Sequence, residues 1–272
     1  MQARAKQKPH VALVTGAAKR IGRAIALALA RDGWDIGVHY ATSREAAKQT
    51  VSDIEAMGRR AVAINRDLGV ERGVRSMLAE CAAELGAVTC VVNNAALFEY
   101  DTPARFKIDA LLKHTRVNTA APLLLAQSLH TSLDADGRGV VINLLDQKLF
   151  NPNPDFLSYT LSKSALHYAT TVLAQAFAPR LRVVGVAPGI TLPSGKQTEA
   201  GFDAAHAKTP LGRSSTPEDV ARAVVYLARA EAVTGSVLLV DGGQHLVPSE
   251  RDVMFLTEPE RQRAPEQQRA TP

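Results

Sequence analysis

The sequence predicts an α/β fold built on one doubly wound parallel sheet, and three observations carry that prediction. Short apolar runs alternate with amphipathic stretches along most of the chain. The first run passes directly into a glycine-bearing loop and then a helix, the order a dinucleotide fingerprint requires. Neither a repeat nor a linker interrupts the alternation, so 272 residues fit one domain large enough to bury a full core.

Taken in order, Val11-Ala12-Leu13-Val14 is apolar throughout, which suits a strand covered on both faces. Thr15-Gly16-Ala17-Ala18-Lys19-Arg20-Ile21-Gly22 follows, with Gly16 permitting a tight turn and Gly22 a close helix–strand approach. Ile21, Ile25 and Leu29 then recur at four-residue spacing with Ala24 and Ala28, the buried stripe of a helix over 21–32. Lys19 and Arg20 stand at that helix start, where the dipole disfavours cations, so the pair makes sense if a polyanion binds there.

Residues 34–40 read as the second strand, and 44–57 as the helix after it. An NAD site would place an acid about 20 residues beyond the glycine loop. This chain instead has His39, Tyr40, Thr42, Ser43 and Arg44, and its first acid is Glu45, already in the helix. Hydroxyls and cations suit a 2′-phosphate, so the site reads as one for NADPH/NADP+. Ser43 is equally suited to capping the helix. Strand 61–65 leads to Asp67 and Leu68, which either begin helix 70–85 or contact a ligand. Strand 88–93 ends in Asn93-Asn94-Ala95-Ala96, and a single long helix is expected over 101–133.

The fifth strand, 139–144, ends at Asp146. A Pro-broken loop follows, and then helix 156–178 carrying Tyr159 and Lys163. Four residues apart, these two share a helix face. An ammonium so close is expected to lower the tyrosine pKa, letting it pass a proton near neutral pH. A carboxyl group beside the pair can feed or hold a second proton. Strand 181–187 ends at Pro188-Gly189-Ile190-Thr191. Segment 192–210 has the character of a lid, with a short helical stretch at 199–207. Helix 217–228 and strand 236–240 complete seven strands and six main helices. The expected boundaries are a flexible arm over 1–9, the domain over 10–248, and a tail over 249–272 that turns polar after Met254-Phe255-Leu256 and is partly disordered.

Thr15-Gly16-x-x-x-Arg20-x-Gly22, Asn93-Asn94-Ala95-Ala96, Asn118, Tyr159-x-x-x-Lys163 and Pro188-Gly189 together resemble the short-chain dehydrogenase/reductase family. The resemblance implies a Rossmann-type sheet of seven strands with helices on both faces. It also implies roles for individual residues. Asp67 and Leu68 would grip the adenine, Asn94 and Ala95 would lie along its ribose, and Gly16, Ile21, Gly22, Pro188, Gly189 and Thr191 would complete the cofactor groove. Asn118 would hold a water that links Lys163 to solvent.

Arg20 in place of a glycine and Asp146 in place of the family's serine resemble the pteridine reductase and dihydromonapterin reductase branch, as do His39-Tyr40, Ser43 and the stretch from Val240 to Leu246. In that branch Phe98 would sandwich a flat pterin against the nicotinamide, with Arg20, Asp146 and Tyr159 beside it. Two other functions remain open. A 3-oxoacyl-carrier-protein or general carbonyl reductase would keep a serine at 146, and a catalytically silent NADP(H)-sensing protein would not need Tyr159 and Lys163.

Composition narrows the remaining classes. Hydrophobic residues at 46% with 22% charged is an ordinary globular balance. The net charge of +5 partly comes from Arg4, Lys6 and Lys8 in the arm, and no nucleic-acid motif accompanies it. Cys81 and Cys90 have neither metal spacing nor scaffold density, as expected of core thiols in a reducing compartment. Neither an apolar leader nor a membrane-length run occurs, so a cytoplasmic protein is expected. The resemblance further implies a homotetramer packed through the helices over 101–133 and 156–178.

Overall fold

Strands that are apolar on both faces need helices on both sides, and the chain supplies them. In the computed structural model, which describes residues 10–193 and 197–256, seven strands form one sheet. They are β1 (Val11–Val14), β2 (Asp35–Tyr40), β3 (Ala61–Asn65), β4 (Val88–Asn93), β5 (Gly139–Leu144), β6 (Leu181–Pro188) and β7 (Val237–Val240). Every pairing is parallel, in the order β3-β2-β1-β4-β5-β6-β7. The order reverses between β1 and β4, the switch point at which such sheets leave a crevice beyond their strand ends. The arm over 1–9 and the segment 257–272 lie outside the described residues.

One face of the sheet is covered by α1 (Arg20–Arg31), α2 (Arg44–Ala56) and α8 (Pro217–Arg229). Ile25, Leu29, Ile36, Val220, Val224 and Leu227 are buried together there. The other face carries α3 (Glu71–Leu85), α5 (Ala121–Ser132) and α6 (Leu157–Phe177), with Val74, Met77, Leu125, Leu129 and Leu181 in its core. Each such side chain contributes roughly 1.5–3 kcal/mol by burial. Helix α8 starts with a capping box, in which the Thr216 hydroxyl accepts from the Asp219 N–H at 3.2 Å and Asp219 accepts from the Thr216 N–H at 3.0 Å. Cys81 and Cys90 are free and buried, and burial pushes both thiols up to about 12.

Helix α7 (Glu199–Ala207) lies where the short helical stretch is expected. The expected helix over 101–133 does not run unbroken. A 3₁₀ turn at Pro103–Arg105 precedes α4 (Ile108–Thr115), and a π-turn at Arg116–Ala120 separates α4 from α5. Asp101 instead serves α6: its carboxylate accepts the Ser158 N–H at 3.0 Å and the Ser158 hydroxyl. The π-turn centres on Asn118, whose side chain leaves the helix to bond the backbone of Leu97.

Candidate active site

The glycine loop is shaped by backbone contacts. Gly16 adopts φ +64°, and a Cβ at Gly22 would stand 2.2 Å from the Gly16 carbonyl oxygen, so only glycine fits there. The Thr15 hydroxyl accepts the N–H groups of Asn94 (2.9 Å) and Ala95 (3.0 Å), tying the loop to the end of β4. Arg20 occupies the left-handed region at φ +54°, where a non-glycine residue costs roughly 1–2 kcal/mol. Its guanidinium donates to the Pro193 carbonyl at 2.9 Å.

Among the residues expected to face the cofactor, His39 differs. Its ring is buried, its Nδ1 accepts the Gly16 N–H at 3.1 Å, and its Nε2 donates to the Arg66 carbonyl at 3.0 Å. With both nitrogens engaged and its pKa lowered by burial, His39 is a neutral brace behind the loop. Tyr40 is half-buried against the core, and Ser43 precedes α2 without a side-chain capping bond. Asp67 accepts the Gly69 N–H at 2.8 Å, while the Leu68 side chain is in the core, so that pair can offer a ligand only its exposed carboxylate edge and backbone.

A cleft of about 620 Å³ runs from Gly16, Arg20 and Ile21 past Asn94 and Ala95 to Asp146, Tyr159 and Lys163, with Pro188, Gly189 and Thr191 on another wall. Pro188 ends β6 and the other two follow it, pinned where the Ile190 N–H donates to Gln244 at 3.0 Å. The Thr191 hydroxyl is engaged with Ser215 at 2.7 Å. Among the described residues no cluster could hold a metal ion, and no helix is long and apolar enough to cross a membrane.

At the inner end the Tyr159 hydroxyl donates to Asp146 Oδ2 at 2.8 Å, and the Lys148 N–H donates to Asp146 Oδ1 at 2.9 Å. Burial raises the Asp146 carboxyl above its usual range, and these two bonds only partly offset that. The expected lowering of the tyrosine pKa is not found. Burial pushes Tyr159 well above its ordinary value, and the Asp146 charge adds to the rise. Lys163 does not counter this, because its Nζ donates to the Leu144 carbonyl at 2.6 Å and lies 5.9 Å from the Tyr159 ring. Burial lowers Lys163 to about 8. Asn118, expected as catalytic, does not line the cleft. Its amide donates to the Ser162 hydroxyl at 3.0 Å, and Ser162 donates to the Tyr159 carbonyl at 2.6 Å, so Asn118 positions α6.

Phe98 is 40% exposed and lines the cleft. It stacks on Phe156 at 4.1 Å and meets Tyr159 edge-on at 4.7 Å. Gln147, Gln197, Asp252, Val253 and Met254 also line the cleft and are not among the expected site residues. The last three belong to the segment expected to be a separate tail. The apolar triplet Met254-Phe255-Leu256 was the signal that it could pack.

A sheet with its crevice at the switch point, a glycine loop on one side and a Tyr159–Asp146–Lys163 cluster on the other define an oxidoreductase. Residues 16–245 match the family model described as enoyl-(acyl carrier protein) reductase. An uncharacterized oxidoreductase of Methylorubrum extorquens is 34% identical, over 88% of this chain and 98% of its own length. The 3-oxoacyl-[acyl-carrier-protein] reductase FabG of Staphylococcus aureus is 32% identical, over 86% and 98%. Among solved structures, FolM alternative dihydrofolate reductase 1 from Brucella canis, complexed with NADP, superposes with a TM-score of 0.83 at 36% identity, covering 88% of this chain and 95% of that one. The chain belongs to the short-chain dehydrogenase/reductase family.

Proposed function

We propose that this protein is an NADPH-dependent reductase of a pterin- or folate-type ring, adding a hydride to a ring C=N bond. The observation that carries the reading is the Tyr159–Asp146 hydrogen bond set beside the half-exposed face of Phe98. A flat aromatic slot suits a planar bicyclic ring better than an acyl chain. The likeness to the FolM structure supports the same substrate class.

The cradle fits a dinucleotide, since Gly22 leaves the loop no room for a Cβ and the start of α1 faces the cleft with Lys19 and Arg20 beside it. Gly16, Ile21, Asn94, Ala95, Pro188, Gly189, Thr191 and Lys163 would hold the cofactor along the cleft. Tyr40, Ser43 and Arg20 would favour the 2′-phosphate, and Asp67 and Leu68 would bound the adenine. When bound, NADPH supplies the hydride. Tyr159, kept protonated by its raised pKa, gives its proton to the ring nitrogen. Asp146, whose raised pKa eases its uptake of a proton from solvent, can then pass that proton to Tyr159 across the 2.8 Å bond.

A second reading, an acyl-carrier or general carbonyl reductase, is favoured by the likeness to FabG. NADPH oxidation across dihydrobiopterin, dihydromonapterin, dihydrofolate and an acetoacetyl thioester separates the two. Faster turnover of the thioester than of all three ring substrates would establish the second. We also propose a homotetramer of dihedral symmetry, because Ile108 and Leu112 on α4 and Leu161, Tyr168 and Val172 on α6 are exposed apolar residues on adjacent helices. Light scattering that gives a monomer at micromolar concentration would overturn it.

A further inference from the structure

The C-terminal segment reaches the cleft through a built anchor. Arg251 donates twice to the buried Asp155, from Nε at 2.8 Å and from a terminal nitrogen at 2.9 Å. The Asp252 N–H adds a third bond at 2.8 Å. Burial works against the Asp155 charge, but these donors hold its pKa below the usual value. Phe255 closes the anchor against Tyr100 (5.3 Å) and Phe156 (6.2 Å). Asp252, Val253 and Met254 are thereby set in the cleft wall.

Asp252 retains acceptor capacity there. Its Oδ2 accepts from Lys148 Nζ at 3.2 Å and its Oδ1 from the Met254 N–H at 3.3 Å. A carboxylate has about four lone-pair sites, so about two stay available. Asp252 lines the cleft together with Asp146 and Tyr159, which places it at the reacting end. Gln147 lines the same cleft, and its Oε1 is buried without a hydrogen-bond partner among the described residues. A buried acceptor left unpaired is unfavourable, and a ligand donor would satisfy it.

We infer that Asp252 and Gln147 form a substrate-reading wall, set in place by the Arg251–Asp155 anchor, that selects a ring edge bearing amino and lactam N–H donors. The inference deepens the pterin reading on which it rests, and it names what distinguishes an amino-substituted ring from other flat heterocycles.

The test is calorimetric titration of the NADP+-loaded protein with 2-amino-4-oxopteridine and with 4-oxopteridine, which lacks the amino group. The wild type should prefer the amino ring by about tenfold or more. In Asp252→Asn the preference should fall to about twofold or less, with NADPH affinity unchanged. An undiminished preference in that variant overturns the inference. If Asp252→Asn does not fold, Gln147→Met decides: it should weaken amino-ring binding by at least about threefold, and wild-type affinity overturns the inference. An Asp252-dependent preference in a protein that reduces no pterin would sink the proposed function and keep the wall. Pterin turnover with no such dependence would do the reverse, and binding of neither ring would overturn both.

Discussion

The two ends of the cleft are built by different means. At the glycine loop the shape is set by backbone, with Gly16 in a left-handed turn, Gly22 against the Gly16 carbonyl, and Thr15 holding the N–H groups of Asn94 and Ala95. At the other end the shape is set by side chains from separate segments: Phe98 after β4, Asp146 and Gln147 after β5, Tyr159 and Lys163 on α6, and Asp252 near the C-terminal end. A backbone wall fails when a Cβ is added, whereas a side-chain wall fails when one head group is changed. The first can serve a common cofactor, and the second can be retuned for a substrate without disturbing the sheet.

The largest expected effect lies at the side-chain end. Tyr159→Phe should lower turnover about 100- to 10,000-fold, while NADPH affinity stays near wild type. Turnover within about tenfold of wild type would show that another group supplies the proton. Asp146→Ser should reduce pterin reduction at least about tenfold more than reduction of an activated ketone. Equal retention of both activities would make Asp146 a passive substitution and bring the two ends closer in character. The cofactor end is sharpened by titration with both dinucleotides. NADPH should bind at least about tenfold tighter than NADH, a difference of about 1.4 kcal/mol. Similar dissociation constants would mean that Arg20, Tyr40 and Ser43 make no favourable contact with a 2′-phosphate.

The smallest effect concerns stability. The folded-state pKa of Asp146 is raised, so its charge opposes folding at neutral pH and that penalty disappears as pH falls below the ordinary carboxylate value. Asp146→Asn should therefore melt higher than wild type at pH 7, by on the order of 2–4 °C. The gap should close toward acid pH in thermal melts taken across the range. A gap that stays constant with pH would mean that the Asp146 charge is not its source.

The contrast between the two ends also explains what could be read from the sequence. All seven strands are legible because parallel strands covered on both faces are largely apolar, most plainly in Val11–Val14, and no strand end shifts by more than one residue. The glycine loop is legible because its conformation demands particular residue types at fixed spacing. The 101–133 stretch misleads because its helical periodicity continues through Asn118, whose bonds to Leu97 and Ser162 exist only after folding. The Tyr159 shift is likewise invisible, since helical spacing brings Lys163 near but does not reveal that the Leu144 carbonyl takes its Nζ. The wall made by Asp252 depends on a partner 96 residues away from Arg251 in sequence, and the polar, Pro- and Gln-rich stretch after Leu256 obscures it.

The Arg20–Pro193 hydrogen bond spans the two ends, joining the glycine loop to the segment that follows β6. Any anion that draws the Arg20 guanidinium away from Pro193 must break that bond, so its affinity depends on how that segment is placed. Linkage makes the dependence mutual: whatever factor the segment's position imposes on anion binding, the anion imposes on the segment. A single side chain held in a strained backbone conformation thus makes occupancy beside the glycine loop a thermodynamic variable of the segment after β6.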